Sequence, residues 1–367
     1  MSDLDRARAL FFEGIEFFES GEFEAARDRF EAALRLAPGR PSVLGNLGIT
    51  HMQLGQWQQA VQALEQSLAG EPEHAEHWVA LALSRQRLGL LPQALQAFER
   101  VLALNPEHGT AWGESGCVLR EMNQTERAAR HLERAVALVP DHPLYSYYLS
   151  ALRGQAGPAQ PPRAYVEALF DQYAEDFEAH LVESLQYRGH SHLIEHMPGQ
   201  PNSRFGRVLD LGCGTGLSAP LIRPRADHLC GIDLAAGMIE QARRTGLYDQ
   251  LEQADVHEFL AGCPTRWDLV LATDVFIYLG ALEPLFAHLE QRLAPGGTLA
   301  FTAELDEDPG SLSRPRLMPS LRYAHPLSYL QGLAQQHGLQ WISHHLAPLR
   351  LDQGQPLTAL YAYLCKA

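Results

Sequence analysis

The sequence predicts two domains, an all-α solenoid of helical repeats followed by an α/β domain with a doubly wound parallel sheet. Three observations support this prediction. A chain of 367 residues is longer than one ordinary hydrophobic core supports. A period of 34 residues runs through the first part of the chain. From residue 164 onward, apolar strand-like runs alternate with helical segments, and a glycine-rich turn follows the first run.

The repeat forms four blocks, 7–40, 41–74, 75–108 and 109–142, which share four kinds of position. The eighth residue of each block is small: Gly14, Gly48, Ala82 and Gly116. The fifteenth tolerates a left-handed turn: Gly21, Gly55, Gly89 and Asn123. The twentieth is alanine: Ala26, Ala60, Ala94 and Ala128. The thirty-second is a proline that ends the second helix: Pro38, Pro72, Pro106 and Pro140.

Small residues at the eighth and twentieth positions allow two antiparallel helices to pack closely. In this respect the blocks resemble tetratricopeptide repeats (TPR). Repeats of this type stack into a curved solenoid, because a single repeat cannot bury its apolar face. We expect the array to span residues 1–153, with 143–153 as a capping helix. The Pro- and Gly-rich segment 154–163 is then predicted to be a linker.

The resemblance also implies a concave groove, lined by the fifth, ninth and twelfth residues of each first helix. These positions hold Phe11, Ile15 and Phe18; Gly45, Ile49 and Met52; Val79, Leu83 and Gln86; and Gly113, Cys117 and Arg120. The first half of this groove is apolar, which favours contact with a helix or an extended peptide. The expected occupant is another protein, the second domain, or a second copy of the chain in a homo-oligomer.

The second half of the chain contains five strand-like runs in the order expected of a doubly wound sheet. They are RVLDLGC (207–213), HLCGID (228–233), LEQADV (251–256), WDLVLATDV (267–275) and TLAFTAEL (298–305). Ligands of such sheets bind at the carboxyl ends of the strands. The site is therefore predicted where the glycine turn GCGTG follows the first run.

The spacing of Gly212, Gly214 and Gly216 limits the choice of ligand. A dinucleotide-binding turn would place its third glycine at position 217, which is leucine, and no Gly-Lys-Ser/Thr phosphate loop is present. Asp233 lies 17 residues beyond Gly216, at the end of the second strand. A carboxylate at this point can accept hydrogen bonds from both hydroxyls of a ribose.

With these features, residues 164–367 resemble the class I S-adenosylmethionine-dependent methyltransferases, which have a Rossmann-like fold. GCGTG matches the first loop of that family, Asp233 its ribose acid, and Ala254-Asp255-Val256 its adenine segment, while LAPGG precedes the fifth strand. The repeat array upstream is typical of bacterial predicted methyltransferases that contain TPR repeats. The resemblance implies S-adenosylmethionine as cofactor and S-adenosylhomocysteine as product.

The resemblance assigns a cofactor role to twelve residues. They are Tyr173, Asp210, Gly212, Gly214, Gly216, Asp233, Leu234, Met238, Asp255, Val256, Thr273 and Asp274. Asp210 would orient the methionine amino group, although a helix cap would also explain it. Met238 would flank adenine or simply fill a helix core. Tyr173 and Phe177 would belong to a lid helix, but their spacing of four also fits an ordinary buried face.

The methyl acceptor is expected to be a small molecule or a protein. The run ATDVFIY lacks the Asn/Asp-Pro-Pro-aromatic motif of amide and adenine methylation, and the Pro-Cys nucleophile of cytosine methylation is also missing. Asp274, Tyr278, Tyr323 and His325 could line the acceptor site, and no catalytic base is assigned. The alternative functions are a catalytically silent cofactor-binding scaffold and a pure TPR interaction protein.

Composition limits the possible partners, cysteine chemistry and cellular location of the protein. The formal charge of −15, without a basic stripe, disfavours nucleic acid as a partner. The five cysteines have no CxxC spacing, and His344-His345 has no nearby carboxylate in sequence, so neither a disulfide framework nor a metal site is predicted. The acidic N-terminal segment does not match a signal peptide, and no apolar run reaches the ~18 residues of a membrane span. We therefore expect a cytoplasmic protein without membrane contact.

Overall fold

The computed structural model describes residues 2–155, 157–173, 185–199, 203–306, 314–352 and 354–367; for residues 164, 168, 171–173 and 352 it describes the backbone alone. The chain divides into two compact units, Met1–Leu149 and Ser150–Ala367. The first unit is helical and the second is mixed α/β, so the predicted fold class is confirmed. Within the described residues, no helix has the length and apolarity needed to cross a membrane.

The helical unit consists of four helix pairs, followed by one more helix that runs across the division between the units. The pairs are α1 (Asp3–Glu19) with α2 (Phe23–Leu36), α3 (Pro41–Gln53) with α4 (Trp57–Gly70), α5 (Ala75–Arg87) with α6 (Leu91–Leu104), and α7 (Gly109–Glu121) with α8 (Thr125–Leu138). The additional helix is α9 (Pro143–Arg153). A capping box between Ser2 and Asp5 closes the amino end of α1.

The repeat positions act in the structure as the sequence predicts. The fifteenth residue of each block has a positive φ, between 57° and 78°. The four alanines at the twentieth position are fully buried. A Cβ at Gly14 would lie 2.6 Å from the ring of Phe30, and one at Gly116 would lie 2.8 Å from Leu132. The helices of a pair therefore approach too closely for a larger side chain.

The predicted groove residues are mostly half-buried rather than fully exposed. Phe11 packs against the core of the first pairs, with its ring centroid 5.9 Å from that of Phe30. Gly45 lies beneath the imidazole of His77, and Gly113 lies beneath the ring of Tyr145. These two glycine positions thus receive an aromatic side chain from the following first helix. The occupant of the groove stays a prediction.

The second unit contains seven helices and nine strands among its described residues. The helices are α10 (Arg163–Tyr173), α11 (Gly189–Glu195), α12 (Ala219–Ile222), α13 (Ala236–Arg244), α14 (Val256–Gly262), α15 (Glu283–Arg292) and α16 (Leu327–Gln336). The strands are β1 (Phe205–Leu211), β2 (Ala226–Asp233), β3 (Gln250–Gln253), β4 (Trp267–Ala272), β5 (Leu293–Leu305), β6 (Arg316–Leu317), β7 (Tyr323–His325), β8 (Leu339–Asp352) and β9 (Gln355–Lys366).

The first five strands are parallel and lie in the order β3-β2-β1-β4-β5. β9 pairs antiparallel with β5, and β8 pairs antiparallel with β9. The short strands β6 and β7 extend from the end of β5. The order reverses between β1 and β4, which places the switch point, and hence the ligand-binding crevice, at their carboxyl ends.

Both faces of the sheet are buried, as expected of a sheet whose central strands are parallel. Side chains alternate between two apolar clusters along each central strand. In β1, for example, Val208 faces one cluster, whereas Leu209 and Leu211 face the other. The apolar runs read from the sequence therefore correspond to strands buried on both sides.

The third strand is shorter than predicted, because the run 251–256 was expected to be extended throughout. Asp255 is instead the N-cap of α14, and its Oδ1 accepts hydrogen bonds from the amides of His257 and Glu258 at 2.8 and 3.2 Å. A carboxylate in this position starts a helix. The strand consequently ends at Gln253.

The segment 154–163, predicted to be a linker, falls within the second unit. The carbonyl of Pro158 accepts a hydrogen bond of 2.6 Å from the hydroxyl of Tyr323. The carbonyl of Ala159 accepts two more, from the amides of Gly280 and Ala281 at 2.9 and 3.0 Å. Part of this segment is therefore anchored to the α/β unit.

Candidate functional site

A cavity of about 500 Å³ opens at the carboxyl ends of β1, β2 and β4. Its walls come from the loop after each of these strands, from α10, and from residues near β7 and β8. Nine of the twelve predicted cofactor residues line it: Gly212, Gly214, Asp233, Leu234, Met238, Asp255, Val256, Thr273 and Asp274. The topology alone brings these residues together, since they span 63 positions of sequence.

The glycine turn has a left-handed backbone at all three glycines, with φ of 70° at Gly212, 55° at Gly214 and 93° at Gly216. A Cβ at Gly212 would lie 2.6 Å from Val275, whereas one at Gly214 would meet no atom within 4 Å. Gly212 thus permits close packing beneath the loop. Gly214 exposes bare backbone to the cavity, which a ligand can approach closely.

Asp233 is fixed by the loops on either side of it. Its Oδ2 accepts a hydrogen bond from the amide of Gly214, and its Oδ1 accepts one from the amide of Ala235, both at 2.9 Å. The side chain is half-buried and faces the cavity. Two backbone donors hold the carboxylate in one orientation, which suits a group that accepts hydrogen bonds from the hydroxyls of a ligand.

Beside Asp233 lies an apolar slot suited to a flat ring. Leu234, Met238 and Val256 contribute to its walls, and Met238 is almost fully buried against Ala235. Phe170, from α10, packs on this pair and also lines the cavity. Asp255 stands at the edge, where its Oδ1 caps α14 and its Oδ2 is not used by that cap.

Phe170 is a site residue that sequence reasoning missed. The predicted lid residues were Tyr173 and Phe177, in the same segment; the side chain of Tyr173 and all of Phe177 lie outside the described residues. Phe170 contacts the ring of Tyr278 edge-on, with centroids 5.4 Å apart. Leu169 lies four residues before Tyr173 and Phe170 lies three before it, so helical spacing would have suggested either of them equally well.

Two predicted cofactor residues do not line the cavity. Asp210 is fully buried, and its Oδ2 accepts a 2.7 Å hydrogen bond from the hydroxyl of Tyr248. Burial raises the pKa of Asp210 to about 6; the bond from Tyr248 opposes this rise and the charge of Asp233 adds to it. Gly216 turns toward Tyr248 and Thr245 rather than toward the cavity. The structure places both residues beneath the loop.

Asp274, just beyond β4, lines the part of the cavity to which Tyr278, Arg322 and Arg350 also belong, here called the acceptor end. Its φ is +59°, an uncommon backbone conformation that aspartate tolerates better than most residues. The hydroxyl of Thr302 accepts a hydrogen bond from the Asp274 amide at 2.8 Å. The guanidinium of Arg350 donates to Asp274 Oδ2 at 3.1 Å. Burial raises the pKa of Asp274, against the opposing effects of Arg350 and Arg322.

Arg350 also donates to Glu304 Oε1 at 2.8 Å, so a single buried guanidinium bridges two carboxylates. Arg322 lines the same end of the cavity, where it lies beside the side chain of Tyr278 and 3.9 Å from Glu304. Burial raises the pKa of Tyr278. The Tyr278 hydroxyl therefore stays protonated at neutral pH and is unsuited to act as a base.

The two arginines were not predicted as site residues, although Tyr323 and His325 were considered for the acceptor site. Tyr323 and His325 share one face of β7 and are not among the residues that line the cavity. The Nε2–H of His325 donates to the carbonyl of Leu279 at 2.9 Å, and burial lowers the pKa of His325 to about 4. Because side chains alternate along an extended backbone, Arg322 faces the cavity instead.

Polar atoms in the cavity wall lack partners among the described residues. Thr215 Oγ1, Thr273 Oγ1 and His190 Nδ1 are buried without a hydrogen bond there. Buried polar atoms are normally satisfied, so unpaired atoms around a cavity suggest that a polar ligand completes them. Together with Asp233 and the ring slot, these groups fit an adenosyl compound with a charged amino-acid tail.

Both halves of the chain are similar to known protein families. A family model for a methyltransferase domain matches residues 181–345, and tetratricopeptide repeat models match residues 17–83, 79–116 and 114–153. A malonyl-[acyl-carrier protein] O-methyltransferase of Enterobacter lignolyticus is 34% identical over 137 residues, 37% of this chain and 52% of that protein. A trans-aconitate 2-methyltransferase of Methylobacterium nodulans is 38% identical over 102 residues, 27% of this chain and 39% of that protein.

The chain thus spans about half of the first of these relatives and less of the second. Among solved structures, one titled as a DhpI-SAH complex is similar at 21% identity and a TM-score of 0.40. The alignment covers 55% of this chain and 95% of the chain in that structure.

Proposed function

Residues 181–345 belong to the methyltransferase domain family and the helical array to the tetratricopeptide repeat family, and from this premise we propose that the protein methylates a carboxylate. S-adenosylmethionine is the proposed cofactor, and the acceptor is a small or carrier-linked carboxylic acid. The observation that carries the proposal is that the guanidinium of Arg322 lines the same cavity as Asp233 and the glycine turn.

The cofactor end of the cavity combines a fixed carboxylate with apolar walls. Asp233 offers carboxylate oxygens held by the amides of Gly214 and Ala235, which suits the two hydroxyls of a ribose. The slot between Leu234, Met238 and Phe170 accepts a flat base. The bare backbone at Gly214 and the unpaired hydroxyl of Thr273 suit the methionine part.

The two arginines at the acceptor end differ in how fully their guanidinium groups are engaged. Arg350 is engaged on both sides, by Asp274 and by Glu304. Within the part of the chain that the structure describes, Arg322 lies beside Tyr278 and approaches Glu304 no closer than 3.9 Å, so it is held less tightly than Arg350. A guanidinium has five N–H donors in a planar fork that matches a carboxylate. Arg322 is therefore the group best placed to hold an anionic acceptor.

Two relatives agree with an acidic acceptor. One is named for malonyl-[acyl-carrier protein] and the other for trans-aconitate, and both names describe acids. Each relative aligns with only part of this chain, so neither acceptor is transferred to this protein as such. Both acceptors carry an acidic group, and its negative charge is complementary to the arginines of the cavity.

The chemistry requires little of the protein beyond positioning. When bound, S-adenosylmethionine supplies a methyl group activated by its sulfonium. A carboxylate oxygen of the acceptor would displace the sulfur from this methyl carbon, which would give a methyl ester and a neutral thioether. A carboxylate is already ionised at neutral pH, and no general base is needed. This agrees with an acceptor end in which Asp274 is ion-paired and Tyr278 protonated.

The residues of the cavity then have distinct tasks. Arg322 orients one acceptor oxygen and leaves the other to attack, which supplies the alignment that displacement requires. The buried ring of Tyr187 and the half-buried ring of Phe170 keep water from the reacting atoms. The ester product has lost its charge, so its attraction to Arg322 falls and release becomes easier.

The direct test is methyl transfer from a donor labelled in its methyl group to a panel of free and carrier-linked carboxylic acids. A methyl ester releases labelled methanol in mild alkali, whereas methyl groups on nitrogen, carbon or sulfur stay bound. Alkali-labile label on an acid supports the proposal. Alkali-stable label would contradict the acceptor, and cofactor binding without transfer to any acid would favour a silent scaffold.

For the array we infer a role in protein contact, with another protein or a second copy of the chain as occupant. Ile49 and Leu83 are half-buried residues on the first helices of successive repeats. Replacing both by glutamate should remove the contact and leave cofactor affinity unchanged. Sedimentation distinguishes self-association from capture of another protein; if the variant keeps every contact of the wild type, the inference is wrong.

A further inference from the structure

Three histidines meet on the α/β unit, outside the cavity. His192 and His196 belong to the run HSHLIEH, on α11 and just after it, and His345 lies on β8. One ring nitrogen from each lies within 4.8 Å of the other two. His192 Nε2 and His345 Nε2 are 3.0 Å apart. Among the described residues, this is the group of histidines, cysteines and acids that approaches the geometry of a metal site.

The spacing in sequence explains how the first two meet. Residues four apart lie on one face of a helix, one above the other. The rings of His192 and His196 stack with centroids 3.9 Å apart. The third ligand comes from 149 positions later in the chain, brought by the pairing of β8 with β9. Metal sites commonly combine a helical His-x3-His pair with a distant third ligand.

A hydrogen bond within the cluster determines which ring nitrogen of His196 can bind a metal. The Nδ1–H of His196 donates to the carbonyl of His192 at 3.0 Å, which leaves Nε2 of His196 as the nitrogen with the lone pair. The ring of His345 stacks on that of Tyr361, with an angle of 6° between the planes. Such outer contacts fix ring orientation in metal sites.

We propose that His192, His196 and His345 bind a divalent transition metal ion, zinc in the first instance, with water in the fourth position. Zinc takes imidazole nitrogens at ~2.0–2.1 Å, so two ligands of a tetrahedral site lie ~3.4 Å apart. The His192–His345 distance is already close to this value. His196 is exposed, so its ring can rotate to close the remaining gap. The carboxylate of Glu195, nearby on the helix, adds favourable charge.

A metal bound at the cluster would link α11 to β8. The amide of Arg188 donates to the carbonyl of Leu349, and the amide of Leu351 donates to the carbonyl of Leu185. These bonds join the segment before α11 to β8. A metal at the cluster would tie α11 itself to the same strand. Tyr187 and Arg350, which line the cavity, lie on the two parts so joined.

The sequence predicts no metal site, because no carboxylate lies near His344-His345 in sequence. The fold supplies two imidazoles instead, and only His345 of the pair takes part. His344 is exposed, and its Nδ1 accepts a hydrogen bond from the indole of Trp341 at 3.0 Å. It is therefore a matched control, one residue away on the same strand and outside the cluster.

The test is calorimetric titration of the full-length chain, freed of metal with a chelator, with zinc chloride alone. We expect one site per chain with a dissociation constant of ~10 μM or below, and a higher melting temperature with zinc. His196→Ala should weaken binding at least ~30-fold, as expected when one ligand of a three-histidine site is lost. His196 is exposed, so the metal-free variant should keep the wild-type melting temperature.

His344→Ala should bind zinc as the wild type does. A cobalt-substituted wild type should show the visible absorption of a tetrahedral site, and His196→Ala should lack it. Equal zinc affinity in the wild type and in His196→Ala would overturn the proposal. A wild-type dissociation constant above ~100 μM for zinc would also overturn it. The cluster would then be only the hydrogen-bonded pair His192–His345 with the ring of His196 beside it.

Discussion

The guanidinium of Arg350 joins the carboxylate of Asp274 to that of Glu304, at 3.1 and 2.8 Å, within the buried end of the cavity. Arg350 is only 4% exposed. It lies on β8, Asp274 follows β4, and Glu304 lies on β5, so one side chain links the C-terminal hairpin to the parallel sheet. Asp274 has a left-handed backbone conformation at this point.

Arg350→Met should destabilise the α/β unit by ~3–5 kcal/mol, since two buried carboxylates lose their shared cation. Calorimetric melting of the full chain measures the effect. The double variant Arg350→Met with Glu304→Gln should recover part of the loss, because one uncompensated charge is removed. A single variant as stable as the wild type would show that the carboxylates do not depend on Arg350.

Arg322→Met should lower methyl transfer to an acidic acceptor at least ~100-fold, as expected for the loss of a charge-assisted contact of ~3 kcal/mol. The affinity for S-adenosylhomocysteine should not change, because Arg322 lies at the acceptor end. Arg322→Lys should keep part of the activity. The matched control is Arg266→Met, at an exposed position outside the cavity. Equal losses in both variants would exclude a specific role for Arg322.

Asp210→Asn should change the pH dependence of stability. The folded-state pKa of Asp210, about 6, lies above its unfolded value of 3.8. The folded state therefore binds the extra proton between these values, and stability falls as the pH rises from about 4 to about 6. Asparagine carries no charge and can still accept from Tyr248. The variant should therefore gain stability relative to the wild type above pH 6, by ~3 kcal/mol.

Calorimetry at pH 4.5 and pH 7.5 measures this difference, and Asp227→Asn serves as control. Asp227 lies on the same sheet but is exposed, in an ion pair with Arg204. Its substitution should shift the melting temperature similarly at both pH values. A constant difference between Asp210→Asn and the wild type across this range would show that Asp210 is not abnormally protonated.

A fragment of residues 150–367 should fold and bind the cofactor, whereas one that starts at residue 164 should be less stable. The shorter fragment loses the hydrogen bonds from Tyr323, Gly280 and Ala281 to the carbonyls of Pro158 and Ala159. Each such bond contributes about 1 kcal/mol. Melting temperatures of the two fragments test this expectation. Equal stability would indicate that the 154–163 segment behaves as a free linker.

The sequence was sufficient for the repeat array, because each repeat position has a local physical reason. The positive φ at Gly21 or Asn123 and the close approach at Gly14 are required within a single helical pair. The parallel strands were also predictable, since strands buried on both faces give unbroken apolar runs. The end of β3 was misplaced because Asp255 reads equally well as a strand end or as a helix cap.

The acceptor end of the cavity was much less predictable. Arg322 and Arg350 come from the region around β6 to β9, and no local pattern marks either residue. Their role depends on strand pairing between β5 and β9 and between β9 and β8, which joins distant parts of the chain. The same holds for His345 and its partner His192. Phe170 was missed for a different reason, because helical spacing alone does not fix which turn faces the ligand.

The measurement that tests the central claim most directly is calorimetric titration of the full chain with S-adenosylhomocysteine, in the wild type, Asp233→Ala and Asp227→Ala. We expect one site in the wild type, an unchanged affinity in Asp227→Ala, and a loss of ~2–3 kcal/mol in Asp233→Ala as charge-assisted hydrogen bonds to the ribose disappear. Asp233 and Asp227 lie at opposite ends of β2, so the control shares the strand but not the cavity. Equal affinity in all three proteins, or no binding by the wild type, would contradict the assignment of this cavity to the cofactor.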